Sequence, residues 1–99
     1  MKETGNLIRS LRGKKGYPLR RVAAFLDIDQ AVLSKIERGH RKLTKEQVLK
    51  LADFFNYNEK EMLITYLSDR IIFEIGNEEF AKEALKVAES KIDYLRKNK

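Results

Sequence analysis

Apolar positions along the chain recur at three- and four-residue steps, and no segment sustains the alternation of a strand, so the pattern predicts an all-α fold. Leu7, Ile8 and Leu11 mark the inner side of a first helix near Glu3–Lys14, which Gly16 ends. Pro18 suits the first turn of a second helix, where a missing N–H costs nothing. There Leu19, Val22, Ala23 and Leu26 form a core stripe at i, i+3, i+4 and i+7. Asp27 stands where a helix turns through a left-handed residue, and Asp29 is placed to accept an N–H bond as N-cap of a third helix over Gln30–Arg38. Thr44 with Gln47 reads as a capping box opening a fourth helix, in which Val48, Leu51, Ala52 and Phe55 repeat the core spacing. Asn58 with Glu61 opens a fifth helix running to about Ile75. Gly76 breaks it, and Asn77 is the expected cap of a sixth helix reaching toward Lys97.

Composition narrows the chemistry. Ninety-nine residues bound the chain to one small domain's worth of structure. No apolar run approaches a membrane span, and the mixed-charge start at Met1-Lys2-Glu3 lacks an apolar leader, so a cytoplasmic protein without membrane association is expected. There is no Cys, and His40 is the single His, which excludes disulfides, thiolate zinc sites and Cys nucleophiles. No nucleophile–base set or carboxylate dyad stands out either, so neither an enzyme nor a cofactor is expected. The net charge of +6 is unevenly spread: residues 1–57 carry 13 Lys and Arg against 6 Asp and Glu, and residues 58–99 carry 8 against 9. A basic functional face therefore belongs to the first part, and a near-neutral, protein-facing role suits the second.

Two short helices joined by Asp27-Ile28-Asp29 within this basic segment have the geometry that lays a second helix in the DNA major groove. At about 100° per residue, Leu33, Ile36 and Glu37 share one side of the third helix, while Ala31, Ser34, Lys35 and Arg38 share the other, with Gln30 at the tip. The outer face is small, polar and cationic, as a groove-reading helix requires. Tyr17, Phe25, Phe54, Phe55 and Tyr57 fall on or beside apolar stripes and read as core or core rim, not as a platform for stacking single-stranded bases.

The segment resembles the lambda repressor and Cro type of helix-turn-helix, the xenobiotic-response-element-like regulators of bacteria and phages, over roughly Leu7 to Leu63. The resemblance is carried by Leu11-Arg12, Val22-Ala23, Leu51-Ala52 and Phe55, and above all by the run Asp29-Gln30-Ala31-Val32-Leu33-Ser34-Lys35-Ile36-Glu37-Arg38-Gly39. It implies a five-helix DNA-binding domain, here with helix 5 extended and a sixth helix added. It further implies base contacts from Gln30, Ala31, Ser34 and Lys35, and phosphate contacts from Arg20, Arg21, Arg38, Arg41 and Lys42. Arg12 and Glu37 fall on positions that form a structural ion pair. Two departures stand out: Leu19 replaces the usual Gln at the start of the second helix, with Pro18 in place of a Ser or Thr cap, and Asp27 replaces the turn Gly.

These residues divide the chain into a DNA-binding domain over 1–63 and a helical extension over 64–99. Helix 5 carries one stripe at Ile64, Leu67, Ile71 and Ile75 and another, nearly opposite, at Met62, Tyr66 and Phe73, and so needs cover on two sides. Helix 6, with Ala81, Ala84, Leu85, Ala88, Ile92 and Leu95, is expected to pair with it as an antiparallel hairpin. The stripe left over points to a homodimer through Met62, Tyr66, Ile72 and Phe73, which would read a pseudo-palindromic operator on double-stranded DNA. The expected function is a sequence-specific transcriptional regulator, of the restriction-modification controller or phage repressor kind. The alternative is an antitoxin-like module whose C-terminal hairpin binds a partner protein from an adjacent gene.

Overall fold

A computed structural model describes residues 2–98, and among them the structure is helical without strands. The elements are α1 (Lys2–Lys15), α2 (Leu19–Leu26), α3 (Gln30–Glu37), α4 (Lys45–Phe54), α5 (Glu59–Ile75) and α6 (Ala81–Lys97). The helix boundaries follow local chemistry. Gly16 leaves α1 at φ +68°, and Asp27 and Asn56 take the left-handed conformation after α2 and α4 at φ +58° and +52°. The Thr44 hydroxyl accepts from the Gln47 N–H at 3.1 Å and the Gln47 side chain accepts from the Thr44 N–H at 2.9 Å, closing the capping box. Asn58 accepts from the Glu61 N–H at 2.9 Å and starts α5. Pro18 stands just outside α2, as its extended N-cap, rather than inside the first turn.

The core lies where α1 to α4 and the first half of α5 converge. Ile8, Val22, Leu33, Val48, Leu51 and Met62 are fully buried at its centre, and Leu26, Ile36, Leu43, Phe55 and Tyr66 close around them. Tyr17, Phe54, Phe55 and Phe25 form an aromatic seam beside it, with ring centroids 4.3 Å apart for Phe25 and Phe54 and 5.1 Å for Phe54 and Phe55. α1 sits close against α3 because Gly5 has no side chain. A Cβ there would stand 2.7 Å from the Glu37 carbonyl oxygen and closer still to that of Ile36.

Two expectations fail at the C-terminal end. Asn77 does not cap α6: the Glu78 N–H donates to the Ile75 carbonyl at 2.9 Å and the Ala81 N–H to the Glu78 carbonyl at 3.2 Å, so turns occupy the connection and the helix begins at Ala81 after Phe80. α5 and α6 also do not close into a hairpin. Residues 82–98 are exposed throughout, and α6 packs closely on no other helix among the described residues. The radius of gyration of 15.6 Å exceeds the ~13 Å of a compact chain of this length because this helix projects from the body.

Candidate nucleic-acid interface

The α2–turn–α3 unit is set by backbone chemistry at Asp27. In the left-handed conformation its N–H donates to the Ala24 carbonyl at 3.1 Å, and the next N–H, of Ile28, reaches the Ala23 carbonyl at 3.0 Å. These bonds satisfy the end of α2 and turn the chain within three residues, so α3 starts at Gln30. Asp29 occupies the N-cap position with extended backbone, but its side chain makes no capping bond, contrary to expectation. Its carboxylate stays in solvent, lining a shallow depression with Asp27 and Arg41. Two acids thus border the basic face and moderate its attraction for an anion.

α3 has one locked side and one free side. Leu33, Ile36 and Glu37 are buried, whereas Gln30, Ala31, Lys35 and Arg38 are exposed and Ser34 is half-buried. No acidic side chain lies on the free side. Arg38 is partly tethered, its Nε donating to the Ser34 carbonyl at 3.3 Å. Arg20 and Arg21 are exposed on α2, with the Arg21 guanidinium 3.9 Å from the centroid of the Tyr17 ring. Arg41 and Lys42 are exposed on the loop between α3 and α4, and the Lys42 ammonium sits 3.9 Å above the Phe73 ring of α5.

A bidentate ion pair holds α3 from behind. Arg12 Nε donates to Glu37 Oε2 at 2.8 Å and Nη2 to Oε1 at 3.0 Å, while Nη1 donates to the Tyr17 carbonyl at 2.9 Å. Glu37 is 5% exposed, so the charge that closes α3 is compensated within the fold. Hydrogen bonding to Glu37 raises the Arg12 pKa above its ordinary value; burial opposes the shift and Coulombic attraction to Glu37 adds to it.

The residues expected at a dimer interface separate into two pairs. Met62 is 0% exposed and Tyr66 3%, so both belong to the chain's own core and are corrected as partner contacts. The physical reason is that of the two stripes on α5, the one through Met62 and Tyr66 is the one turned inward. Ile72 and Phe73 lie beyond the body of the domain and remain exposed.

Two supporting residues, Asp69 and Thr4, escape a sequence reading, and a third, Tyr66, has a role other than the partner contact expected of it. The Tyr66 hydroxyl donates to the Leu43 carbonyl at 3.0 Å, anchoring the loop that carries Arg41 and Lys42. Asp69, buried one turn further on, accepts from the Thr4 N–H at 2.7 Å and from the Thr4 hydroxyl at 2.6 Å, tying α5 to the first turn of α1. Asp69 extends the spacing of Met62 and Tyr66 along α5. That continuation was the available signal, but an acid in an apolar stripe reads as its end.

A basic recognition helix braced by an ion pair and presented by a three-residue turn defines a helix-turn-helix DNA-binding domain. The helix-turn-helix family model matches residues 8–62, more than half of the chain. The chain belongs to this family, the lambda repressor and Cro type of DNA-binding transcription regulators. No curated protein matches the chain closely enough to count as a relative. Among the described residues no helix is long and apolar enough to cross a membrane.

Proposed function

We propose that the protein is a homodimeric regulator that reads a pseudo-palindromic operator in double-stranded DNA. The observation that supports it most is the free side of α3, which offers Gln30, Ala31 and Lys35 to solvent while its back is fixed by Leu33, Ile36 and the Glu37 pair. In this reading Gln30 bonds an adenine edge, the Ala31 methyl meets a thymine methyl, and Lys35 reaches guanine O6 and N7, with Ser34 beside them. Arg20, Arg21, Arg38, Arg41 and Lys42 bind phosphates and supply affinity without sequence information. Two copies present paired α3 helices about 34 Å apart, one helical turn of DNA.

The biological setting in this proposal is cytoplasmic control of a neighbouring gene, as by a restriction-modification controller or phage repressor, with no cofactor and no catalysis. Fluorescence anisotropy tests it, using DNA from upstream of the gene against a scrambled duplex at about 50 and 200 mM salt. A preference of about a thousandfold, lost in Gln30→Ala with Lys35→Ala, is expected; equal binding to both duplexes refutes sequence reading. The exposed apolar surface of α5 and α6 favours one second reading, an antitoxin-like module that binds a partner from an adjacent gene. Copurification of a tight complex with that gene product distinguishes it.

A further inference from the structure

α6 is an amphipathic helix whose apolar half is closely packed on no other helix among the described residues. Ala81, Leu85, Ala88, Ile92 and Leu95 recur at alternating four- and three-residue steps, the spacing of a coiled-coil seam, while Val87 and Tyr94 lie roughly 120–140° around the helix from it. Lys82, Lys86, Glu89, Asp93 and Arg96 take the other half. A helix of this length is marginal alone in water and draws its stability from burying such a stripe. α5 offers a matching surface. Ile64, Leu67 and Ile71 are exposed on the side opposite Met62, Tyr66 and Asp69, and an open groove of about 490 Å³ runs beside Leu67, Ile71 and Phe73.

We propose that these surfaces close on each other between two copies: α6 of each copy lies antiparallel on the outer face of its partner's α5, so the dimer is held by exchanged helices. The inference rests on the homodimer proposed above and states what binds it.

Counting outward equally from Glu78 in the connection sets Ile71 against Leu85 and Ile64 against Ile92, with Leu67 beside Ala88. The same register brings Glu74 level with Lys82, an opposite-charge pair, and Arg70 level with Lys86, a like-charge pair that must turn outward to solvent. Exchange between copies uses the contacts a hairpin would make within one chain, a low-cost route to a dimer. Exchange fits the connection, in which Gly76 keeps a helical backbone at φ −58°, ψ −27° and α6 is not closely packed on its own α5.

The faces so joined carry the apolar surface such a dimer needs. Ile64, Leu67, Ile71, Leu85, Ile92 and Leu95 are each 38–64% exposed, and a two-fold exchange buries all six in both copies, toward the ~800 Å² each partner buries in a standard interface.

The chain has no Cys, so single-cysteine variants report contacts directly. Full-length Ile71→Cys and Leu85→Cys proteins are mixed in equal amounts and oxidised, and the double variant is oxidised alone. Exchange predicts mainly mixed-variant disulfide dimers in the first sample and covalent dimers in the second. A looped monomer from the double variant places the hairpin within one chain and overturns the proposal. So does a predominance of Ile71→Cys homodimers, which leaves a homodimer but joins it α5 to α5. A sedimentation mass of one chain at micromolar concentration removes the homodimer itself. As a cysteine-free check, Leu85→Asp with Ile92→Asp should weaken dimerisation by about a hundredfold while the DNA-binding domain still folds, as circular dichroism reads, since α6 is not closely packed on it. Unaltered dimerisation in that variant overturns the exchange.

Discussion

Replacing Arg12 by Met removes three hydrogen bonds and leaves the Glu37 carboxylate, 5% exposed, without its counter-charge. Breaking a buried pair from one side costs about 3–5 kcal/mol. The Arg12 side chain keeps 19% of its surface in water, which sets the expectation at the lower end, about 3 kcal/mol. At about 4–8 °C per kcal/mol for a chain of this size, Tm should fall by roughly 12–24 °C. The informative partner is Arg12→Met with Glu37→Leu, which removes the stranded charge as well and should recover about 2 kcal/mol of the loss. Urea unfolding followed by circular dichroism measures both. A guanidinium whose pKa is raised in the fold contributes fully below its unfolded value and loses that contribution only as pH rises through the folded one, so the Arg12 contribution should not change between about pH 7 and 9. Equal destabilisation by the single and double variants would refute the pairing argument, because it would mean that the charge left behind carries no penalty.

Gly5→Ala should cost about 3 kcal/mol, since the new Cβ meets two backbone carbonyls that no side-chain rotation can relieve; a thermal melt within about 2 °C of wild type would show that α1 and α3 can separate freely. Asp69→Ala should destabilise by about 1–3 kcal/mol by leaving the Thr4 N–H and hydroxyl unpaired, and pairing it with Thr4→Val should add little further, as urea titrations of the three variants will show. Arg41→Ala should weaken binding to operator and scrambled DNA alike and reduce the slope of log affinity against log salt by about 1, whereas Lys35→Ala should remove about 1–3 kcal/mol of discrimination with anisotropy as the readout. Phe73→Glu should lower dimer mass at micromolar concentration by sedimentation and weaken operator binding together, because the exposed ring borders the α5 groove and also lies beneath the Lys42 ammonium.

Much of the recognition unit was legible in the sequence because its determinants are local. Asp27 turning left-handed, Thr44 with Gln47 closing a box, and Leu33, Ile36 and Glu37 sharing one side of a helix each depend on residues within a turn or two. The supports were not legible. Gly5 reads as a weak point in a helix until the carbonyls of Ile36 and Glu37 are seen against it, and Asp69 reads as a surface acid until Thr4 is found beneath it. Their partners lie far along the chain, and no local spacing encodes such a meeting. Asp29 errs the other way: the residue type is right for a cap, but its side chain makes no bond to the helix.

The sequence by itself determined six helices, a basic first part and the two-sided character of α3, since periodicity and capping act over a few residues. It also showed that α5 has two apolar stripes, but assigning Met62 and Tyr66 to a partner chose the wrong one, because both stripes are apolar and well spaced and nothing local ranks them. Only the tertiary structure decided that the Met62 and Tyr66 side closes the core and the Ile64 and Ile71 side is left to solvent. It decided likewise that α6 leaves its own α5 instead of folding back on it. The reason is that burial is a property of what stands opposite a residue: a helix's own sequence states that a face must be covered, and the arrangement of the rest of the chain settles which face is covered and which waits for a partner.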